Sequence, residues 1–176
     1  MLPMKRILIV ILPLSLLLSG CKKPPAPVFT MEYPFNYEVP GGLSTFKRYS
    51  KVFRVASSLD AALQSSNISR DQVTEVLSHD MWLETADGSV YDFGRFSEIN
   101  VYISDTNDPN KRIEIAYVQP VVNEKGRLIR LIPGTANVLK YMKEPFFNIE
   151  IVLTLRNISV YSQQHMFLKF AGFTEG

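Results

Sequence analysis

The stretch that decides the fold is "FFNIEIVLTLRN", Phe146 to Asn157. Phe147, Ile149, Ile151, Leu153 and Leu155 fall on one side of an extended chain. Asn148, Glu150, Thr154 and Arg156 fall on the other. Successive side chains of a strand point to opposite faces, so apolar residues at every second position make a strand with one buried face. The same period recurs on either side. In "SEINVYISD" (residues 97–105), Ile99, Val101 and Ile103 oppose Glu98, Asn100 and Tyr102. In "KRIEIAYV" (111–118), Ile113, Ile115 and Tyr117 oppose Arg112 and Glu114. In "QQHMFLKFAGF" (163–173), Met166, Leu168 and Phe170 oppose His165, Phe167 and Lys169. "TEVLSHDMWLET" (74–85) puts Leu77, Met81 and Leu83 on one side.

Turn chemistry separates these runs. Pro40-Gly41-Gly42, Ala86-Asp87-Gly88, "DTNDPN" (105–110) and Pro133-Gly134 are turn or loop signals. Shorter strands are expected at residues 49–56 and 127–132. "VFTMEYPFNYEV" (28–39) reads as an edge or interrupted strand, because Pro34 has no N–H for a ladder. Two short helices are expected. One lies in "SSLDAALQSS", capped by Ser57 or Ser58. The other lies in "TANVLKYMK", capped by Thr135, with Val138, Leu139 and Met142 inward. About seven one-sided strands joined by short turns predict an all-β fold. The expected form is an antiparallel two-sheet immunoglobulin-like sandwich, with a β-barrel as the competing architecture. It forms a single domain over residues 28–176.

The front of the chain is different. Lys5 and Arg6 precede an apolar run over residues 7–18, interrupted only by Pro13 and Ser15. A spanning helix needs about 20 apolar residues, so this run reads as the h-region of a signal peptide covering residues 1–20. "LSGC" (18–21) ends it and holds the chain's single cysteine. It resembles the bacterial lipoprotein box. That resemblance implies cleavage between Gly20 and Cys21 and lipid attachment at Cys21. One acyl chain holds a protein to a membrane only marginally, and the three chains of that family exceed this threshold. "KKPPAP" follows, and residues 21–27 read as a stiff proline-rich tether. No cysteine remains for a disulfide.

Removing Lys5 and Arg6 from the 19 basic residues leaves 17 against 17 acidic. A near-zero charge argues against a nucleic-acid partner. Residues 21–70 carry seven basic and three acidic residues, and residues 71–125 carry four and eleven. The basic stretch "FKRYSKVFR" reads as a solvated strand, with a paired acidic middle or an anionic surface as its possible counterparts.

"VPGGLSTFKRYSKVFRV", "SLDAAL", "YDFGRFSEINVYI" and "LIPGTANVLKYM…FNIEIVLTLR" together resemble small lipoproteins of Bacteroidota. The resemblance implies an anchor, a β-sandwich and a short helix before a long late strand. It brings no catalytic residue. Surface-exported lipoproteins of that phylum often carry acidic residues after the cysteine. Lys22 and Lys23 stand here instead, which implies a periplasm-facing position on the outer membrane.

Chemistry is sparse. His79 and His165 are the only histidines, so Cys and His alone build no zinc set. "SHD" (78–80) places triad residue types on opposite faces of a strand. His79, beside Leu77, Met81 and Leu83, reads as a rim or core histidine. "DTNDPN" lacks the glycine of a calcium loop and reads as a turn. No metal or cofactor is expected. The anomaly is aromatic: Trp82, Tyr102, His165 and Phe167 fall on outer faces, where aromatic residues serve as contact anchors. The leading expectation is a non-catalytic interaction module with an envelope protein partner. The alternatives are a glycan- or peptide-binding protein using these aromatics, and a hydrolase assembled around His79 or His165.

Overall fold

The computed structural model describes residues 26–45, 48–122 and 125–175. The signal peptide expected over residues 1–20, the cleavage expected after Gly20 and the attachment expected at Cys21 all fall outside these residues. The fold is all-β, and every paired strand is antiparallel. Ten strands run in chain order. They are β1 Phe29–Val39, β2 Arg48–Ala56, β3 Val73–Thr85, β4 Tyr91–Asp92, β5 Phe96–Asp105, β6 Arg112–Val118, β7 Lys125–Gly126, β8 Leu128–Pro133, β9 Phe146–Leu155 and β10 Ser162–Thr174. Two short helices, α1 Leu59–Ser66 and α2 Leu139–Met142, sit in connections.

Eight strands form one sheet in the order β1-β10-β3-β8-β6-β5-β9-β2, curled as a half-barrel, while β4 and β7 pair separately. Where two sheets and about seven strands were expected, the strand pairing is continuous. The reason is β8. Its residues 128–131 pair with β3, and Ile132 and Pro133 pair with β6. One strand thus turns the corner between two halves, as strands do in orthogonal packings. The core lies inside the curl. Phe96, Phe147 and Phe170 are fully buried there beside Ile99, Ile149 and Met81. Each such side chain contributes roughly 1.5–3 kcal/mol by leaving water.

The two end strands, β1 and β2, meet through side chains. Phe35 and Phe53 have ring centroids 4.9 Å apart, and Tyr37 packs edge-on against Phe53 at 6.3 Å. The Tyr49 hydroxyl donates to the Glu38 carbonyl at 2.8 Å. Among the described residues no backbone hydrogen bond joins β1 to β2. Pro34 sits in β1, an edge strand that runs uninterrupted. Its missing N–H is tolerated there.

The ladders carry four register shifts, and two of them move residues off the face that strict alternation predicts. Opposite the Lys169–Phe170 step, β3 passes from Asp80 to Ser78 and leaves His79 unpaired. Below that point Ser78 turns inward opposite Phe170. Leu77 turns outward opposite Ala171, and His79 is exposed. The core-histidine reading of His79 and the inward reading of Leu77 are therefore corrected. A second bulge, at Val101/Tyr102 of β5, leaves Ile115 of β6 unpaired. Tyr117 then shares the outer face with Asn100, instead of the inner face with Ile113. A bulge adds one residue, and one residue reverses every face beyond it.

The caps differ too. Ser58 is at the N-cap of α1 with its hydroxyl engaging Tyr33 at 2.8 Å, and the Ser57 hydroxyl accepts the Leu59 N–H at 3.3 Å. Asn137, rather than Thr135, accepts the Leu139 N–H at 3.0 Å and the Val76 N–H at 3.1 Å. Val138, Leu139 and Met142 are buried as expected. Arg48, Lys51 and Arg54 stand exposed along β2. None of the three pairs with the acidic middle among the described residues. Arg54 instead lies over the Phe146 ring at 4.5 Å.

Candidate binding surface

The outer face of β1, β10, β3 and β8 brings three of the four expected aromatic positions together. Cross-strand pairing sets Pro34, Phe167, Trp82 and Arg130 in one row. Trp82 and Phe167 stack, with ring centroids 5.0 Å apart and planes 15° from parallel. His165 lies one row on, its ring 6.3 Å from Phe167, and its Nδ1 meets the Asn36 Oδ1. Trp82, Phe167 and His165 are all half-buried.

Two ion pairs border this row on one side. Lys169 meets Glu32 at 2.9 Å, and Arg130 meets Asp80 at 2.9 Å. On the other side a shallow pocket of about 310 Å³ opens, with Asn36, Glu38, Gln163 and His165 in its lining. The Gln163 amide donates to Glu38 at 3.3 Å.

Tyr102 does not belong to this group. It lies on β5, beyond β8 in strand order. The Arg112 guanidinium covers its ring at 4.2 Å and also pairs with Glu150. Partial burial, with Glu114 nearby, raises the Tyr102 phenol above its usual range. The curl of the sheet at β8 is what separates it from Trp82.

A second surface had no sign in the alternation pattern. Among the described residues, strand directions collect 40–45, 86–95, 119–122, 125–127 and 156–161 at one end of the molecule. Backbone bonds tie this tip together: Gly42 N–H to the Ser159 carbonyl (2.9 Å), Arg156 N–H to the Arg95 carbonyl (2.7 Å) and Thr85 N–H to the Arg127 carbonyl (3.0 Å). Val90, Val122, Ile158, Val160 and Tyr161 are exposed there, half of the ten exposed large apolar residues among those described. Val90 is 69% exposed and Ile158 64%. Scattered exposed apolar residues are ordinary, but five on adjoining loops mark a contact surface. The chain enters at Val28, at the opposite end, beside α1 and Gly172.

Among the described residues no group of three or more His, Cys, Asp or Glu side chains could hold a metal. His79 and His165 also share no contact. No helix among these residues is long and apolar enough to cross a membrane.

The architecture thus defines an all-β chain with one curled antiparallel sheet. No family model matches the sequence, and no curated protein matches it. Among solved structures, one similarity is to a chain of "Structure of Empty Head Turnip Yellow Mosaic Virus (ATC) at 100 K". It has 12% identity over 99% of this chain and 92% of that one, with a TM-score of 0.24. That score is too low to carry fold or function from one chain to the other.

Proposed function

We propose that this protein is a lipid-anchored, non-catalytic interaction module of the cell envelope. Cys21 holds it to the periplasmic face of the outer membrane, and the tip formed by residues 40–45, 86–95, 119–122, 125–127 and 156–161 engages a protein partner. The observation that carries this reading is the disposition of the two ends. The chain enters at Val28, and the opposite end displays Val90, Val122, Ile158, Val160 and Tyr161. A tethered domain with an apolar far end presents that end away from its own anchor. The short apolar run and the single cysteine after Gly20 support the anchor.

Capture from detergent-solubilised membranes tests both halves of the proposal. The wild-type bait is expected to bring down a stoichiometric partner and to carry acyl chains on Cys21 by intact mass. The double variant Val90→Asp, Ile158→Asp is expected to lose the partner and keep its thermal midpoint, while Trp82→Ala retains it. A bait that migrates alone at its monomer mass overturns the interaction role. An unmodified thiol overturns the anchor.

A further inference from the structure

The outer-face aromatics are separate from the tip, and their surroundings have a chemistry of their own. A stacked Trp82–Phe167 pair stands on the sheet, half-exposed, with Pro34 beside it in the same row. His165 links the pair to the pocket of about 310 Å³, in which Asn36, Glu38 and Gln163 present two amides and a carboxylate. That volume is at the lower end of the range for small-ligand sites, about 300–1,000 Å³.

We propose that this row and pocket form a binding site for neutral saccharides. A sugar ring has an apolar face of C–H groups and a rim of hydroxyls. A flat aromatic surface takes the first through dispersion and the electron-rich ring face. Amides and carboxylates take the second, because each offers acceptors, donors or both in a fixed plane. Trp82 and Phe167 supply the aromatic surface. Asn36, Glu38 and Gln163 supply the planar polar groups.

Two further observations narrow the ligand. At this row β10 lies between β1 and β3, and β3 lies between β10 and β8. The backbone groups of β10 and β3 are committed to those ladders, so a peptide lying over Trp82 and Phe167 finds no strand edge to pair with, and side chains of β2, Phe53 and Tyr49, close on the open edge of β1. Recognition there runs through side chains. The cations at the border, Lys169 and Arg130, are each held by a carboxylate, Glu32 and Asp80. Glu38 and Glu84 add negative charge, so anionic polymers are disfavoured. Trp82 stacks on Phe167, His165 meets Asn36 and Gln163 meets Glu38, and side chains held by one another lose less freedom on binding.

Trp82 is the chain's single tryptophan, so its emission reports on the site directly. The full chain, purified in detergent, is titrated with cellotetraose, maltotetraose and tetra-N-acetylchitotetraose. Polygalacturonate and a pool of extended peptides form the comparison arms, and calorimetry repeats each titration. At least one neutral oligosaccharide is expected to give a saturable emission change. Phe167→Ala and Asn36→Ala are each expected to weaken that binding about tenfold or more, the size seen for central anchors, at unchanged thermal midpoint. The Val90→Asp, Ile158→Asp variant, which leaves the Tyr161–Gln163 hydrogen bond in place, binds as wild type, so the saccharide site and the tip can fail separately. No saturable response by either method overturns the proposal. So does a response confined to the polyanion or the peptides, or a saccharide affinity untouched in both site variants.

Discussion

Ser78 faces Phe170 across β3 and β10, and its hydroxyl is buried without a hydrogen-bond partner. A buried unsatisfied polar group costs about 1–3 kcal/mol, while Ser→Ala removes one atom and leaves little space. Ser78→Ala is therefore expected to stabilise the protein by about 1 kcal/mol. Scanning calorimetry should read this as a rise of about 2–4 °C in Tm. Tyr37 is the contrasting case, a buried hydroxyl in use. It donates to the Gln164 Oε1 at 2.6 Å, and Gln164 in turn donates to Ser162 at 3.1 Å. Burial, reinforced by Tyr49 and Tyr91, pushes the Tyr37 phenol well above its usual range. The folded state thus favours the neutral phenol, whereas the unfolded chain ionises it near pH 10. Its contribution is fully present below that pH and is lost as pH climbs toward the raised folded value. Tyr37→Phe is expected to lower stability by about 1 kcal/mol at neutral pH, since Gln164 loses its donor. It is also expected to flatten the alkaline decline. Urea midpoints from about pH 8 to about pH 11 measure both effects.

At the scale of elements, the bulge opposite Gly134 sets a strict requirement. The Gly134 N–H donates to the Ile115 carbonyl at 2.8 Å. A Cβ at Gly134 would lie 2.8 Å from the Glu114 carbonyl oxygen. Backbone cannot yield as a side-chain end can, so Gly134→Ala is expected to cost about 1–3 kcal/mol through overpacking. A lower urea midpoint at unchanged slope is the expected record. This bulge and the one at His79 of β3 mark the limit of reading strands from sequence. β9 was legible because Phe147, Ile149, Ile151, Leu153 and Leu155 alternate without interruption and all are buried. β3 and β6 were legible as strands, but the facing of Leu77, His79 and Tyr117 was not. A bulge is defined by the partner strand, and the partner is absent from a local pattern. The caps follow the same logic. Ser58 is placed as its residue type suggests, but its hydroxyl goes to Tyr33, which lies 25 residues away.

The molecule as a whole depends on strand order, which the sequence does not display. Trp82, Phe167 and His165 were legible as outward because each sits out of phase with buried neighbours. Tyr102 was equally outward, but the turn of the sheet at β8 puts it elsewhere. Ile158, Val160 and Tyr161 lie in "RNISVYSQ", where apolar residues alternate over too short a span to separate a strand from a loop. Only the convergence of four connections gives them a shared surface. That convergence also fixes how the molecule bears load. The chain enters at one end of β1, and the tip lies at the other. All eleven residues of β1 are in register with β10. A pull between the entry point and something gripped at the tip therefore acts along the strand. It shears the whole ladder at once instead of opening it bond by bond. The strand β1, laddered on one side only, is oriented to resist being drawn out.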